Sequence, residues 1–216
     1  MQRLRWLCSL INLELWPGSE HCREWTEEFL SRTLLYGHMV TEAPLLVRMD
    51  SGNDSLDNIK VCRNENAHYI IKRNLRKETT EKWLKIAMEG GQLQETRQGK
   101  REWIGEQYVK RKGIDKPLRI VFRVTLRTTK ANGQQMLIPE VEVETYWTSL
   151  NDDPATVIRL YHAHGTSEQF HSELKTDMDL ERLPSGKFDT NEVVLLLGMV
   201  AYNIIEVDRP GKPEGA

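Results

Sequence analysis

The chain has 216 residues, 29% of them charged, and a formal net charge of −2, which is enough sequence for one substantial core or for a core with an insertion. No apolar run approaches the length of a membrane span, and the N-terminal segment lacks the cleavage site of a secretory signal. The three cysteines Cys8, Cys22 and Cys62 are odd in number and widely spaced, which argues against disulfides and zinc and predicts a reduced, cytoplasmic protein without a membrane partner.

Residues 1–67 are predicted to alternate between strands and helices. The segment Leu10–Trp16 alternates loosely and precedes a Pro-Gly turn, which predicts a strand. In the segment Thr26–Val40 the apolar residues recur at helical spacing, which predicts an amphipathic helix.

A buried strand is predicted to end in Asp50, so that its C-terminal end presents a carboxylate. The turn Ser51-Gly52 comes next, and Asp54 is the expected N-cap of a second helix. Strand, carboxylate, turn and helix in this order are typical of α/β folds, in which ligands bind at the carboxyl ends of strands. Asp50 is therefore a candidate ligand-binding residue.

Residues 68–150 carry mostly strand patterns around one short helical or loop segment. The segment 118–129 alternates arginines with apolar residues, and the strand predicted after it alternates glutamates with valines. Asn132-Gly133 between them is a strong hairpin signal. A two-residue turn would place Arg123 opposite Glu142, so the arginine and glutamate faces would coincide and neutralise each other.

The same part of the chain concentrates positive charge. Residues 72–130 contain 17 lysines and arginines against seven aspartates and glutamates, whereas the remainder carries a net charge of −12. Such asymmetry is typical of chains that bind nucleic acid. Because the hairpin arginines face glutamates, we predict that the DNA contacts lie before the hairpin, at Arg97, Lys100, Arg101, Lys110, Arg111 and Lys112.

Residues 151–205 are predicted to return to a helical pattern. Two aspartates before Pro154 mark the start of a helix, which the pattern continues through the segment Tyr161–Lys175. Residues 188–206 predict a strongly apolar last helix, and residues 206–216 a disordered tail.

A helical projection of the segment Tyr161–Lys175 places Tyr161, His164, Glu168 and Lys175 on one stripe beside an apolar seam. A solvated helix face carries the same kinds of residue, and helical spacing alone does not distinguish the two. If Glu168 meets Asp50 at one end of the sheet, the paired carboxylates would suit Mg²⁺ in phosphoryl transfer.

These spacings resemble the glutamate signature of DDE-type insertion-sequence transposases. The signature is Tyr, Arg, Glu and Lys, separated by two, three and six residues, and its positions here hold Tyr161, His164, Glu168 and Lys175. The segments "LINLELWPGSEHC", "LLVRMDSGNDSLDNI" and "DMDLERLPSGKFDTNEVVLLLGMVAYNI" are also similar to the family and stand in the same order. The similarity covers residues 10–205.

The resemblance implies an α/β fold with a ribonuclease-H-like core. Residues 1–67 and 151–205 would form this core, incomplete at its N-terminus, and residues 68–150 would be a β-rich insertion. The family's activity is metal-dependent DNA strand cleavage and strand transfer in DNA transposition, with Mg²⁺, or Mn²⁺ in its place, as cofactor.

The same resemblance assigns roles to individual residues. Asp50 would be the second catalytic, metal-binding carboxylate and Glu168 the third. Tyr161, His164 and Lys175 would lie along the double-stranded DNA of the transposon ends.

Two departures from the family pattern stand out. His164 occupies the position of an arginine, and a shorter, mostly neutral histidine loses a bidentate phosphate contact. No aspartate precedes Asp50, although the family carries its first catalytic aspartate upstream on the first core strand. We therefore expect an N-terminally truncated copy that is inactive alone and that forms a homodimer or associates with an intact transposase.

Two other functions stay open at this point. The first is a non-catalytic DNA-binding remnant, which the basic region 72–130 supports. The second is an unrelated metal-dependent hydrolase that uses Asp50, Glu168, His164 and His171. Helical histidines that share a metal usually stand four apart rather than seven, which disfavours the hydrolase.

Overall fold

A computed structural model describes residues 10–15, 26–130, 132–163, 176, 179 and 182–208. The helices in these residues are α1 (Thr26–Val40), α2 (Leu56–Asn64), α3 (Thr80–Gly90), α4 (Pro154–His162) and α5 (Phe188–Asp208). The strands are β1 (Leu46–Met49), β2 (His68–Lys72), β3 (Gln92–Arg97), β4 (Lys100–Val109), β5 (Leu118–Thr129) and β6 (Gln135–Thr148).

The six strands form one mixed sheet in the order β1-β2-β6-β5-β4-β3. β1 and β2 are parallel and are joined through α2, whereas every other neighbouring pair is antiparallel. A parallel pair needs such a crossover, while antiparallel strands can follow one another through short turns. The α/β class predicted from the sequence is confirmed.

Helices cover both faces of the sheet. On one face, Ile59 of α2 and Trp83 of α3 pack against Ile71 and Phe122, and the rings of Trp83 and Phe122 lie 5.7 Å apart. On the other face, α4 packs its apolar side on a smaller cluster of strand residues. Residues 118–122 are all buried, because β5 runs between the two helical layers and both of its faces are covered.

The β5–β6 hairpin has the predicted faces but a different register. Arg123 pairs with Glu144 and not with Glu142. The turn is longer than two residues, since the strands end at Thr129 and resume at Gln135, and the register shifts near the turn. A shift of two residues keeps every side chain on its face, so the arginines still meet glutamates.

The strand predicted over residues 10–16 is wrong for its described part, residues 10–15, which have no regular secondary structure. Asn203 of α5 exchanges two hydrogen bonds with the backbone of Leu10, each 2.8 Å long. Asn12 donates to Thr33 of α1 at 2.8 Å. The segment therefore bridges two helices instead of joining the sheet.

The predicted N-cap of α2 is also wrong by one residue. Ser55 is the cap, and its hydroxyl accepts a hydrogen bond from the backbone of Asp57. Asp54 instead accepts hydrogen bonds from the indole of Trp147 at 2.8 Å and from the backbone of Asn74 at 3.0 Å. Its long-range partners satisfy the carboxylate and leave the cap to serine.

Helix α5 contradicts the expectation that no segment approaches the length of a membrane span. Its window Phe188–Ile205 is long and apolar enough to cross a membrane, and 6% of that window is buried. Asp189 and Glu192 fall inside the window. The resemblance of α5 to a membrane span rests on length and composition, and one such helix is weak evidence for a membrane.

Candidate functional site

Asp50 lies at the exposed carboxyl end of β1, where the backbone turns into a short 3₁₀ segment, Ser51–Asn53. Its Oδ1 accepts hydrogen bonds from the backbone nitrogen of Gly52 at 3.0 Å and from the side-chain amide of Asn53 at 2.9 Å. Its Oδ2 has no hydrogen-bond partner among the described residues. Residues beside Asp50 in sequence therefore orient the carboxylate and leave one oxygen available.

Helix α4 ends beside this strand. Arg48 of β1 donates a hydrogen bond from Nη1 to the carbonyl oxygen of Leu160 at 2.9 Å, which joins β1 to the last turn of α4. Tyr161 lies in the same turn, and its ring centroid is 4.7 Å from that of Tyr146 on β6. Burial, together with the negative charges of Asp50 and Glu144, raises the pKa of the Tyr161 hydroxyl. Asp50 and Tyr161, both predicted from the sequence, thus lie at one end of the sheet.

The start of α4 follows the sequence prediction. Asp153 is the N-cap, with its carboxylate accepting from the backbone of Ala155 at 3.2 Å and of Thr156 at 3.0 Å, and Pro154 opens the helix. Arg119, which is buried, donates to the carbonyl oxygen of Asp152 at 2.7 Å. The cap and this arginine fix the direction in which α4 runs toward Asp50.

A polar cluster that the sequence analysis missed surrounds the last turn of α4. Glu144 Oε2 accepts a hydrogen bond from Arg123 Nε at 2.7 Å, and Lys72 Nζ lies 3.8 Å from its other oxygen. Arg123 Nη2 donates to His162 Nε2 at 3.0 Å. The arginine–glutamate alternation indicated the charged face of the hairpin, but nothing local in the sequence indicates its contact with His162.

The helix predicted to continue through Lys175 ends at His162, with Ala163 as its C-cap, in the described part of the chain. His164, Glu168 and Lys175 lie outside the described residues, as does His171. The described residues contain no group of three or more His, Cys, Asp or Glu side chains that could hold a metal ion. The structure therefore gives a position for Asp50 alone among the predicted metal ligands.

The six basic residues before the hairpin that are predicted to bind DNA fall into two separate groups. Arg97, Lys100 and Arg101 lie at the β3–β4 turn, and Lys110, Arg111 and Lys112 follow the other end of β4. A strand of ten residues spans about 33 Å, so the two groups are far apart.

Three of these six side chains already have partners. Lys100 lies 3.4 Å from Glu102, Arg97 donates to the carbonyl oxygen of Lys130, and the Arg111 guanidinium is 5.6 Å from the ring centroid of Trp147. The exposed side chains of Arg101, Lys110 and Lys112 make no ion pair with another described residue.

A cavity of about 720 Å³ opens on the other side of the turn that follows Asp50. Arg73 lines it, with its guanidinium 4.5 Å from the ring centroid of Trp147 and 2.9 Å from Glu78. Burial raises the pKa of Glu78, but the hydrogen bond and charge of Arg73, the hydrogen bond from Trp83 and the charge of Lys82 together lower it more, so the net shift is downward. The same wall of the cavity is joined to the residue after the turn, because the indole of Trp147 donates to Asp54 at 2.8 Å.

Comparison with curated proteins gives no significant match. The profile of the family described as Transposase DDE domain group 1 matches residues 7–211, slightly more at both ends than the span of residues 10–205 expected from the resemblance. The match covers almost the whole length of the sequence. The chain therefore belongs to the family Transposase DDE domain group 1 and is a DDE-type transposase by descent.

Proposed function

We propose that this chain carries part of the catalytic site of a DDE transposase, with Asp50 and Glu168 as metal-binding carboxylates for DNA strand cleavage and strand transfer. Family membership supports a function in DNA transposition, with DNA as substrate and a divalent metal ion as cofactor. The observation that carries the proposal is the oriented Asp50 carboxylate beside Tyr161 at one end of the sheet.

The Asp50 carboxylate fits a Mg²⁺ ligand. Its Oδ1 is held by two hydrogen bonds while Oδ2 has no described partner, and such hard carboxylate oxygens are what Mg²⁺ and Mn²⁺ prefer. We propose that Glu168 supplies a second carboxylate to the same metal site. A bound divalent ion neutralises charge that develops on the transferred phosphoryl group.

Tyr161 would contact a DNA phosphate as a neutral hydrogen-bond donor. Burial and the nearby charges of Asp50 and Glu144 raise the pKa of its hydroxyl, so the proton stays on the oxygen at neutral pH. A phenolate would repel the phosphate, whereas the hydroxyl donates to it. His164 and Lys175 would lie further along the same DNA, with Lys175 providing the positive charge.

The sheet is compatible with the domain division expected from the resemblance. We propose that residues 1–67 and 151–205 belong to a ribonuclease-H-like core and that residues 68–150 form the β-rich insertion. Strand β1 and helix α2 lie in the first part, and β2, which pairs parallel with β1, opens the second. The run of antiparallel strands β3 to β6 supports a β-rich insertion. A cytoplasmic location is part of this proposal, because the substrate is DNA.

We also propose that this polypeptide has little cleavage activity alone. The resemblance implies three carboxylates, and residues 1–216 offer candidates for two of them, Asp50 and Glu168. We propose that the chain acts as a homodimer or in association with an intact transposase. A chain that binds DNA without cleaving it is the second candidate, and the exposed cations Arg101, Lys110 and Lys112 favour it.

A nicking assay with Mg²⁺ or Mn²⁺ tests the catalytic proposal. We expect any metal-dependent nicking to disappear in Asp50→Asn and Glu168→Gln and to persist in Glu89→Gln, a matched change on the exposed surface of α3. Titration of Mn²⁺ into the wild-type chain and Asp50→Asn adds a readout that does not need activity, and we expect weaker binding by the variant.

Each outcome separates the candidates. Nicking that survives Asp50→Asn, or equal Mn²⁺ affinity of variant and wild type, overturns the role of Asp50. Nicking by the chain alone that requires both carboxylates supports the site and contradicts the proposed lack of activity. Wild-type protein that folds and binds DNA but neither nicks it nor binds metal supports the non-catalytic candidate.

A further inference from the structure

A second cavity lies at the opposite end of the sheet from Asp50. Its volume is about 820 Å³, and it lies between α2, the loop after β4 and the ends of β5 and β6. We call it the α2–loop groove; its charged and aromatic lining residues are Lys60, Arg63, Tyr108, Asp115, Lys116 and Arg119. The five residues of β2 separate this end of the sheet from the Asp50 end by about 17 Å.

The groove carries a surplus of positive charge. Four of its charged lining residues are basic, and Asp115 is the acidic one. Lys60 is paired with Asp57 at 2.6 Å, and Arg119 is paired with Glu106. Neither Arg63 nor Lys116 makes an ion pair with a described residue, and both are exposed. The positive charge of Arg63 also acts on the hydroxyl of the buried Tyr69, where it opposes the increase in pKa that burial causes.

The groove also presents an aromatic ring. Tyr108, in β4, is 61% exposed and lines the same cavity as these cations. The loop after it turns at Gly113, whose φ of +80° suits glycine, and continues to Lys116. Cations that track a phosphate backbone, next to an exposed ring on which a base can stack, are the combination found in surfaces that bind single-stranded nucleic acid.

We propose that the α2–loop groove binds the phosphodiester backbone of DNA away from the reacting end, with Arg63 and Lys116 contacting phosphates and Tyr108 stacking on an unpaired base. The inference rests on the proposed function for the identity of its ligand. Along β2 the two ends of the sheet lie about 17 Å apart, which corresponds to about five steps of a DNA strand. One strand can therefore reach both ends of the sheet.

DNA binding as a function of salt tests the groove. Fluorescence anisotropy would compare a duplex and a single strand, each long enough to span the sheet, in buffer with EDTA. The test variant is Arg63→Ala with Lys116→Ala. The control is Lys82→Ala with Lys85→Ala, which removes the same charge from exposed positions of α3.

Each lost phosphate contact lowers the slope of log affinity against log salt by about 0.9 for duplex DNA and about 0.7 for a single strand. We expect the slope for the Arg63→Ala, Lys116→Ala variant to fall by the amount of about two contacts, and the slope for the control variant to stay unchanged. We expect Tyr108→Leu to weaken single-strand binding while leaving duplex binding unchanged.

An unchanged slope in the groove variant, or an equal fall in the control, overturns the proposal. A Tyr108→Leu variant that binds the single strand as the wild type does overturns the stacking role. Because EDTA removes the metal, the result does not depend on cleavage. A chain that fails the nicking assay can still pass this test, and the two proposals fail independently.

Discussion

Arg73 is a nearly buried cation, with 4% of its side chain exposed, and Glu78 balances its charge at 2.9 Å. The second carboxylate oxygen of Glu78 accepts from the indole of Trp83 at 2.7 Å. The Arg73 guanidinium also lies over the rings of Trp83 and Trp147. The Glu78 carboxylate therefore contacts both the buried charge of Arg73 and the indole of Trp83.

We expect Glu78→Gln to lower the free energy of unfolding by about 2 to 3 kcal/mol, because it leaves a buried guanidinium without a counter-charge. Solvent reduces the loss, since part of Glu78 is exposed. Urea unfolding at neutral pH measures the change. The matched control is Glu89→Gln, whose exposed pair with Lys85 is 4.0 Å long, and we expect about 0.5 kcal/mol or less there. Equal effects of the two variants would contradict the role of the buried pair.

The pH dependence of the same variant gives a second readout of that prediction. The pKa of Glu78 is lower in the folded chain than its ordinary value of 4.5, so the ionised form stabilises the fold. This contribution is fully present above the ordinary pKa and is lost as the pH falls through the folded pKa. The difference between wild type and Glu78→Gln should therefore shrink below about pH 4.5.

At the scale of elements, β4 passes close to β5 at Gly105. A Cβ atom at this position would lie 2.6 Å from Cζ of Phe122, which is buried against Trp83. We expect Gly105→Ala to destabilise the fold by about 1 to 3 kcal/mol, because the phenylalanine ring has to move within a packed core. Thermal or urea unfolding would measure it.

Gly90→Ala serves as the control for this change. A Cβ atom at Gly90, the last residue of α3, meets no atom within 4 Å. We expect no loss of stability there, since alanine is the better helix former. A stable Gly105→Ala variant would show that the Phe122 ring has room that the contacts do not indicate.

The local sequence pattern predicted the type of an element well, but it predicted poorly how one element pairs with another. The alternation in residues 118–129 predicted β5 and its charged face, because side-chain direction follows from the backbone period alone. The hairpin register depended on a turn whose length the Asn-Gly pair did not reveal. The turn at Gly99, with a φ of +73°, joins β3 to β4, and neither strand was predicted.

In the candidate site, too, local features could be predicted from the sequence and long-range contacts could not. Asp50 could be predicted because a strand followed by a carboxylate and a glycine turn is a local pattern. The contact between Arg123 and His162 joins a strand to a helix 39 positions later, and Asp54 meets Trp147 93 positions away. Such contacts follow from the order of strands in the sheet, which periodicity does not determine.

At the scale of the whole molecule, one sheet joins the parallel unit to the antiparallel strands through the pairing of β2 with β6. Trp83, Trp103 and Trp147 are buried in its larger core, with exposures of 1%, 5% and 3%. We expect tryptophan fluorescence and far-ultraviolet circular dichroism to report one coincident unfolding transition. The measurement uses a variant in which the three other tryptophans are replaced by phenylalanine, so that the fluorescence comes from the core.

Two separated transitions in that variant would contradict a single cooperative core. A first transition seen by circular dichroism alone would mean that helices outside the sheet unfold before the tryptophans are exposed. The Gly105→Ala variant offers an internal check, because it alters the same core and should move both probes together.

The bond from Arg48 to Leu160 has a consequence for how the chain folds. β1, α2 and β2 are neighbours in sequence, so the turn that orients Asp50 can form early with this compact unit. The Arg48 bond joins residues 112 positions apart and requires the intervening strands to be in place. We expect the Asp50 turn to form ahead of its contact with α4, so that the two sides of the candidate site come together only in the last stage of folding.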